Sequence, residues 1–271
     1  MGVRYLAVTS GKGGVGKSVV ALNLAIALGR LGERVLLVDA DLGLGATAVL
    51  LGISPPHSLQ ELLTGQCPVA EAAVSGPEGI TLLAAAADGE ADFWLRPELR
   101  TDVAEELQAF ESGFDFVVVD TGAGIPAATV DFVAAAGEAA LIVTPEPTAI
   151  ADAYASLKVF LALGAGVRAR LLVNMAESPA EAADLYRRFA ELVERFLGAE
   201  IDNLGYIPLD RYVREAVRRQ VPLVQGVPVP PAAAAISRIA GRLVAAAGSG
   251  VESGLFARAL AQRQLAWGPS T

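Results

Sequence analysis

A chain of 271 residues, of which 53% are hydrophobic and 19% charged, can build one large domain or two small ones with a substantial core. The net charge of −9 disfavours general attraction to nucleic-acid phosphates, and a single cysteine excludes an intramolecular disulfide and a cysteine-ligated zinc or iron–sulfur site. The first residues, MGVRYLAV, lack the layout of a signal peptide, and no apolar run reaches the roughly 20 residues of a membrane-spanning helix. These features favour a cytoplasmic protein.

Apolar runs typical of buried strands alternate with helical patterns along the chain. Strands are predicted at 5–9, 34–41, 79–85, 114–124, 138–144, 167–174 and 203–208. Helices are predicted at 18–31, 98–111, 127–136, 148–163, 179–197, 210–220 and 231–247. Continuous apolar strands joined by helices indicate an α/β fold, with a mainly parallel twisted sheet covered by helices on both faces. We expect one domain over 1–247, a hinge at 248–250 and a tail over 251–271.

Residues 11–18, GKGGVGKS, match the phosphate-binding pattern G-x-x-x-x-G-K-[ST] between a predicted strand and a predicted helix. Glycines let successive backbone N–H groups point at phosphate oxygens, and the following helix adds the positive end of its dipole. We expect Lys17 to bridge the outer phosphates and the Ser18 hydroxyl to bind Mg²⁺. A glycine-rich turn without a ligand is the competing interpretation. The predicted nucleotide loop comprises Gly11, Gly13, Gly14, Val15, Gly16, Lys17 and Ser18.

Lysine is rare in this chain, which has three lysines against eighteen arginines. Two of the three, Lys12 and Lys17, lie in the glycine-rich loop. A compact ammonium fits a narrow phosphate cradle better than a broad guanidinium, which accounts for Lys17. Lys12 has no role in the plain motif, and a solvated loop lysine is the ordinary alternative. The scarcity of lysine favours a function for Lys12.

Two further segments place carboxylates at the ends of predicted strands. VDADLGLG supplies Asp39 and Asp41, which strand alternation places on the same side, beside the phosphate site. VVVDTGAGI has the form of an apolar strand that delivers Asp120 to a Mg²⁺ shell, followed by a glycine loop that can sense a γ-phosphate. Solvated acids at a strand-end turn are the alternative for Asp39 and Asp41.

The loop GKGGVGKS, with lysine at position 12, resembles the deviant Walker A loop of the MinD/ParA superfamily of ATPases. The resemblance implies a homodimer that forms on ATP binding, in which Lys12 reaches the phosphates of ATP held by the other subunit. It also implies that Asp41 positions the attacking water. We assign Asp39 to the Mg²⁺ water shell. ATP, ADP and Mg²⁺ are therefore the expected ligands.

The segments TPEPTAIADAY (144–154), LLVNMAESPAEA (171–182) and 195–223 resemble the FlhG/FleN branch, and the resemblance runs from residue 3 to about 247. Members of this branch control flagellar number and placement. The resemblance implies slow, dimer-dependent ATP hydrolysis, with the FlhF GTPase and flagellar switch or regulator proteins as candidate partners. By the same analogy, Asn174 bonds the adenine, and Pro208 and Asp210 line the base pocket.

The chain departs from the branch pattern after the second strand, where Ala46 and Ala48 replace the usual asparagine and aspartate. These departures favour weakened or rearranged turnover or dimer contacts. Two alternatives stay open: a ParA-like DNA-partitioning ATPase, which the net charge opposes, and a weakly hydrolysing, nucleotide-gated scaffold of another polar assembly. The lone cysteine excludes an iron–sulfur reductase of the same superfamily.

The tail VESGLFARALAQRQLAW forms an imperfect amphipathic pattern if it is helical, because Arg263 falls near the apolar face and Leu265 lies opposite. The family uses such a tail as a membrane-targeting helix, which implies peripheral binding to anionic lipid at the inner face of the cytoplasmic membrane. A helix packed against its own domain or a dimer partner is the alternative. The predicted lipid contacts are Leu255, Phe256, Leu260 and Trp267.

Overall fold

The computed structural model describes residues 2–43, 45–86, 93–95, 102–162, 166–246 and 253–267. Their centre is one sheet, in which all seven strands predicted from the sequence are present and an eighth is added. The α/β prediction is therefore confirmed. The strands are β1 (Arg4–Ser10), β2 (Val35–Ala40), β3 (Ala73–Ser75), β4 (Thr81–Leu83), β5 (Phe116–Ala123), β6 (Glu138–Val143), β7 (Arg168–Ala176) and β8 (Asp202–Pro208).

The strand order is β3-β4-β2-β5-β1-β6-β7-β8, and every neighbouring pair is parallel except β3 and β4. The carboxyl ends of β1, β5 and β2 therefore lie side by side at the centre of one edge. In the strand register, Asp120 of β5 lies opposite Asp39 of β2 on one side and Val8 of β1 on the other. This topology brings the glycine loop and the predicted carboxylates to one place.

Helices cover both faces of the sheet and bury two separate apolar cores. The helices are α1 (Lys17–Arg30), α2 (Ala46–Leu51), α3 (Leu59–Leu63), α4 (Val69–Ala72), α5 (Asp102–Glu111), α6 (Ala127–Ala136), α7 (Pro147–Ala162), α8 (Pro179–Leu197), α9 (Arg211–Arg219), α10 (Pro231–Ala245) and α11 (Leu255–Trp267). Helices α1, α8 and α10 contribute to the core on one face, while α5, α6 and α11 contribute to the core on the other.

The tail helix α11 packs against α5 and α6 of its own chain. Leu255, Phe256 and Leu260 are buried, and the Phe256 ring meets the Phe132 ring edge-on with centroids 5.6 Å apart. The backbone N–H of Leu255 donates to Glu111 Oε2 at 2.7 Å. The structure thus shows the packed alternative for the tail.

Three parts of the sequence predictions for the carboxyl terminus fall outside the described structure. The proposed hinge at 248–250 lies outside the described residues, as do 268–271. The side chain of Trp267 is likewise outside the described part of the chain. Among the described helices, none has the length and apolarity needed to cross a bilayer.

Candidate active site

The loop between β1 and α1 is held in its curled form by two close approaches. A Cβ at Gly11 would lie 2.1 Å from the carbonyl carbon of Asp152 in α7, so only glycine fits there. Gly16 has φ of +87°, and a Cβ there would lie 2.6 Å from Asn174 Nδ2. α1 starts at Lys17, directly after this turn, so its free N–H groups and positive dipole end face the same space as the loop.

Lys17 lies at the bottom of the site, with its side chain 8% exposed. Its Nζ donates to Asp120 Oδ1 at 2.8 Å and lies 3.8 Å from Asp41 Oδ2 and 3.5 Å from Ser18 Oγ. Burial raises the pKa of Asp120, and the charge and hydrogen bond of Lys17 oppose that rise. The Lys17 ammonium is therefore held at the bottom of the site by its ion pair with Asp120.

Asp39 is fully buried, and its carboxylate holds the loop that follows β2. Asp39 Oδ2 accepts from the Thr47 hydroxyl at 2.6 Å and the Thr47 N–H at 2.9 Å, and Oδ1 accepts from the N–H of Asp41 at 3.2 Å. Burial, followed by the nearby charge of Asp120, raises the pKa of Asp39. The structure thus gives Asp39 a clear positioning role for the loop that carries Asp41. Its role in the Mg²⁺ water shell stays a prediction.

An open cavity of about 720 Å³ lies over the loop, a volume that suits a nucleotide. Its lining includes Lys17, Ser18 and Asp41, so three of the predicted groups face one space. The opposite wall is formed by the glycine loop after Asp120 and the start of α6, and a Cβ at Gly122 would lie 3.7 Å from Asp41 Oδ1. An acceptor at Asp41 can orient a water in this cavity.

Lys12 is a partly exposed residue of the cavity lining, at its edge, and its partners differ from those of Lys17. Its Nζ donates to Glu146 Oε2 at 2.6 Å and to the Thr148 hydroxyl at 3.1 Å, at the start of α7. The Lys12 side chain is 30% exposed and that of Glu146 is 63% exposed. Within one chain, then, the two lysines of the loop have separate partners.

The buried acids at the bottom of the site suit a divalent cation. Asp39 and Asp120 are both fully buried and lie opposite each other in neighbouring strands, and the Lys17 ammonium pairs with Asp120. Asp120 Oδ2 has no hydrogen-bond partner among the described residues, which is costly for a buried carboxylate. Ser18 and Asp120 would hold Mg²⁺, which would neutralise charge on the nucleotide phosphates. Lys17 and the loop N–H groups are placed to bind those phosphates.

The residues predicted for the adenine pocket lie together on the β7–β8 side of the loop, outside the lining of the cavity. Asn174 Nδ2 donates to the Val15 carbonyl at 2.7 Å, which ties β7 to the phosphate loop. Asp210 caps α9 by accepting from the N–H of Tyr212 at 2.9 Å, and its other oxygen accepts from the N–H of Ala232 at 3.0 Å. Pro208 ends β8. Contacts of these residues with adenine stay predictions.

The two alanine departures have different surroundings. Ala46 lines the nucleotide cavity, whereas Ala48 is buried in the core. A missing asparagine side chain at 46 therefore removes a polar group from the site itself. A missing aspartate at 48 removes a charge from a buried position.

Three polar residues of the site were missed by the sequence analysis: Thr47, Glu146 and Thr148. Thr47 contacts Asp39 eight positions earlier, and Glu146 contacts Lys12 across 134 positions. The motif TPEPTAI contained Glu146 and Thr148, and its polar residues at the start of a predicted helix were the available signal. Thr47 lies between Ala46 and Ala48, and no sequence signal pointed to it.

Fold and site together define the class of protein, a P-loop nucleoside triphosphatase (NTPase) built on a mainly parallel sheet. The family model for ParA, described as an NUBPL iron-transfer P-loop NTPase, matches residues 3–244. The antiactivator FleN of Pseudomonas aeruginosa is 40% identical over 238 residues, which are 88% of this chain and 85% of the relative. The flagellum site-determining protein YlxH of Helicobacter pylori is 33% identical, over 78% of this chain and 73% of the relative.

A solved structure gives the same result. The cell division ATPase MinD of Pyrococcus furiosus superimposes with a TM-score of 0.74 at 26% identity, covering 91% of this chain and all of the other. The chain belongs to the ParA family of P-loop NTPases, and the predicted resemblance to MinD/ParA proteins is confirmed. It is an ATPase of MinD/ParA type. The septum site-determining protein MinD of Pyrococcus horikoshii, which has the same fold, was solved as a complex with Mg-ADP.

Proposed function

We propose that the protein is an ATP-dependent dimerising switch of FlhG/FleN type that controls the number or placement of flagella. The observation that carries this proposal is the separation of the two loop lysines, Lys17 inside the site and Lys12 at its edge. Lys17 serves its own chain's nucleotide. Lys12 is free to turn toward a second chain once its exposed contacts with Glu146 and Thr148 are released.

The dimer supplies a positive charge that the single site lacks at its open side. When two loaded chains meet, Lys12 of each would stabilise charge that develops on the transferred phosphoryl group of the other. Asp41 would orient the attacking water, and it is fixed for that task through the Asp39 hydrogen bonds. Hydrolysis would then reopen the dimer, so the rate of hydrolysis would set the lifetime of the dimer.

The dimer hypothesis has a direct test in light scattering with ATP. Wild-type protein is expected to dimerise, and Asp41→Ala to remain dimeric longer, because the water is no longer oriented and ATP persists. Lys12→Ala is expected to stay monomeric while titration calorimetry still shows ATP binding. A monomeric Asp41→Ala protein beside a dimeric wild type would contradict the role assigned to Asp41.

The flagellar role rests on the similarity to FleN and YlxH, whose names describe an antiactivator and a flagellum site-determining protein. In the organism that encodes this chain, deletion of the gene should change the number or position of flagella seen by electron microscopy. Wild-type protein should restore the pattern, and Lys17→Ala protein, expressed equally, should not. An unchanged pattern in the deletion strain would contradict the flagellar proposal and leave the ATPase assignment intact.

Membrane binding by the tail belongs to the same proposal, but here it requires undocking. Leu255, Phe256 and Leu260 are buried against the domain, so moving them into lipid exchanges one apolar environment for another. The lipid gains, about 1 kcal/mol for each arginine of the tail near an anionic surface, are small. Two tails on one ATP dimer would bind far better than one.

Liposome sedimentation tests the tail directly, with vesicles containing anionic phospholipid. Binding is expected only with ATP, and it should disappear when 251–271 are deleted. Equal sedimentation of the truncated protein, or sedimentation that ignores ATP, would assign α11 to packing alone.

A weakly hydrolysing, nucleotide-gated scaffold is the second candidate, because Ala46 removes a polar group from the cavity lining. Turnover measured with saturating MgATP and lipid separates the two candidates. The switch predicts turnover that rises with protein concentration as dimers form. The scaffold predicts nucleotide-dependent dimers with negligible turnover.

A further inference from the structure

Helix α9 carries an excess of positive charge that its own ion pairs do not neutralise. Of its nine residues, four are arginine and one is glutamate, which gives a net charge of +3 on a chain whose total is −9. None of the nine residues is buried. The arginines and the glutamate line one open groove: Arg211, Arg214, Glu215, Arg218 and Arg219.

Only one ion pair within the described residues involves this helix, between Arg219 and Glu215 at 2.6 Å. Arg214 and Arg218 have no ion-pair partner within the described residues, and the Arg211 guanidinium lies over the Tyr212 ring at 5.0 Å. The helix dipole favours Arg218 and Arg219, which lie in the last turn. It opposes Arg211 and Arg214 nearer the start, so the dipole does not explain the cluster.

Helix α8 shows how the same chain arranges charges that only face solvent. There Arg187 and Arg188 both pair with Asp184, and Arg187 also lies 3.6 Å from Glu191. The charges of that surface therefore neutralise one another. The unpaired arginines of α9 are a different kind of surface.

Apolar side chains border the arginines on one side. Val217 lies three residues after Arg214, on the adjacent strip of the helix surface, and it and Val221 are 39% and 46% exposed. Gln220 Nε2 donates to the Val49 carbonyl at 2.7 Å, which fixes the end of α9 against α2, where Val49 is 54% exposed. Val217 and Val221 border a shallow depression between α1, α2 and α9.

We propose that this surface, Arg211, Arg214 and Arg218 with Val49, Val217 and Val221, is the docking site for an acidic segment of a partner protein that also presents apolar side chains. Guanidinium groups beside apolar ones are the composition typical of protein interfaces. The charge of the surface requires an anionic occupant. The valines give contact area that a phosphate backbone does not use.

Two other anionic partners fit the surface less well. A helix that lies on a membrane needs a free apolar face, and the apolar face of α9, with Val213 and Ala216, already packs against the core. A nucleic acid would meet one small basic patch on an acidic protein, with valines beside it. An acidic protein segment with apolar side chains can pair with the arginines and pack against the valines at the same time.

This inference adds partner chemistry to the proposed switch, and its test needs neither ATP nor a dimer. A library of random 16-residue peptides is selected on immobilised wild-type protein, and enriched peptides are measured in solution by fluorescence anisotropy. We expect the enriched peptides to combine net negative charge with apolar residues. Binding should weaken about tenfold or more in Arg214→Glu/Arg218→Glu, since two attractive charges become repulsive.

The matched control is Arg187→Glu/Arg188→Glu on α8, which makes the same change in net charge. It should bind the peptides within about twofold of wild type, since distant exposed charges are screened. Val217→Ser should lower the affinity for the peptides without changing the charge of the protein. Failure to enrich acidic peptides, or equal losses in the α8 and α9 variants, would overturn the proposal.

The same variants decide between the other occupants. Duplex DNA or anionic vesicles that bind wild type and lose binding only in the α9 variant would assign the arginines to phosphates and overturn the proposal. Loss of ATP-dependent dimers in the α9 variant would assign the surface to a second copy of this chain, with the same consequence. If wild type itself neither turns over ATP nor dimerises, the proposed switch fails whatever the peptides show.

Discussion

The bottom and the edge of the nucleotide cavity each contain a lysine paired with a carboxylate, but the pair at the bottom is buried and the pair at the edge is exposed. At the bottom, Lys17 is almost fully buried and bonded to the buried Asp120. At the edge, Lys12 is held by the mostly exposed Glu146. Removing one partner of a buried ion pair lowers the free energy of unfolding by several kcal/mol, whereas an exposed ion pair contributes about 0–1 kcal/mol to it.

The difference shows which part of the site is complete in one chain. At the bottom, Lys17 and the glycine loop of one chain line the same cavity, so we expect nucleotide binding to depend on contacts within one chain. The edge is held by contacts weak enough to release, so Lys12 can change partners at low cost. Binding of nucleotide therefore belongs to the bottom, and the proposed dimer contact belongs to the edge.

The largest effect is expected from Lys17→Ala, which removes the central cation of the bottom. ATP affinity should fall roughly 100-fold or more, because a desolvated charge contact with the phosphates is lost. Titration calorimetry with MgATP measures it. Lys12→Ala is the matched control in the same loop and should bind ATP within about twofold of wild type.

Equal affinities of these two variants for ATP would remove the distinction between bottom and edge. Thermal unfolding of both should accompany the titration. Lys17→Ala leaves Asp120 buried without its partner, so a loss of folded protein must be separated from a loss of the site.

A smaller effect is expected from Thr47→Val, which removes the 2.6 Å hydrogen bond to Asp39 with little change of shape. A hydrogen bond to a buried charged group contributes about 1.5–3 kcal/mol, and its loss should loosen the loop that carries Asp41. The expected result is a fall of about tenfold in kcat with unchanged ATP affinity. Thr47→Ser keeps the hydroxyl and should behave as wild type.

Mg²⁺ dependence sharpens the Thr47 result. If Asp39 acts mainly by holding its loop, the valine variant stays slow at saturating Mg²⁺. If excess Mg²⁺ restores the rate, Asp39 acts through the metal shell and the positioning role is wrong.

The smallest effect is expected from Glu146→Gln at the edge. Weakening the exposed Lys12–Glu146 pair should free Lys12, and the ATP dimer should form at up to about fivefold lower protein concentration. Light scattering over a dilution series measures the shift. A dimer that needs more protein in this variant would mean that Glu146 supports the dimer contact instead of competing with it.

The parts of the fold that the sequence predicted are those with a strong local signal. Long apolar strands such as β5 and long helices such as α8 have a pattern that leaves few alternatives, and their ends match the predictions within a few residues. The phosphate loop was predictable because its glycines and its lysine–serine pair are constrained by local geometry alone.

The missed parts depend on contacts distant in sequence. Strand β3 and helices α2, α3 and α4 have only three to six residues each, too few for a period to show. The Lys12–Glu146 pair joins two loops that meet only in the folded sheet. The apolar face of α11 is the same whether it binds lipid or packs against Phe132, so its sequence left both open.

The central claim, that Lys12 acts on the nucleotide of the other subunit, is tested most directly by mixing two inactive variants. Lys12→Ala has a complete site except for the partner's lysine, and Asp41→Ala retains Lys12. In a mixed dimer, the site on the Lys12→Ala chain receives Lys12 from the Asp41→Ala chain. An equimolar mixture should recover turnover that neither variant has alone. The recovery is about a quarter of wild type where the chains pair at random, and less where Asp41→Ala chains pair preferentially with each other. If Lys12 serves its own chain's nucleotide instead, the mixture stays as inactive as the two variants alone.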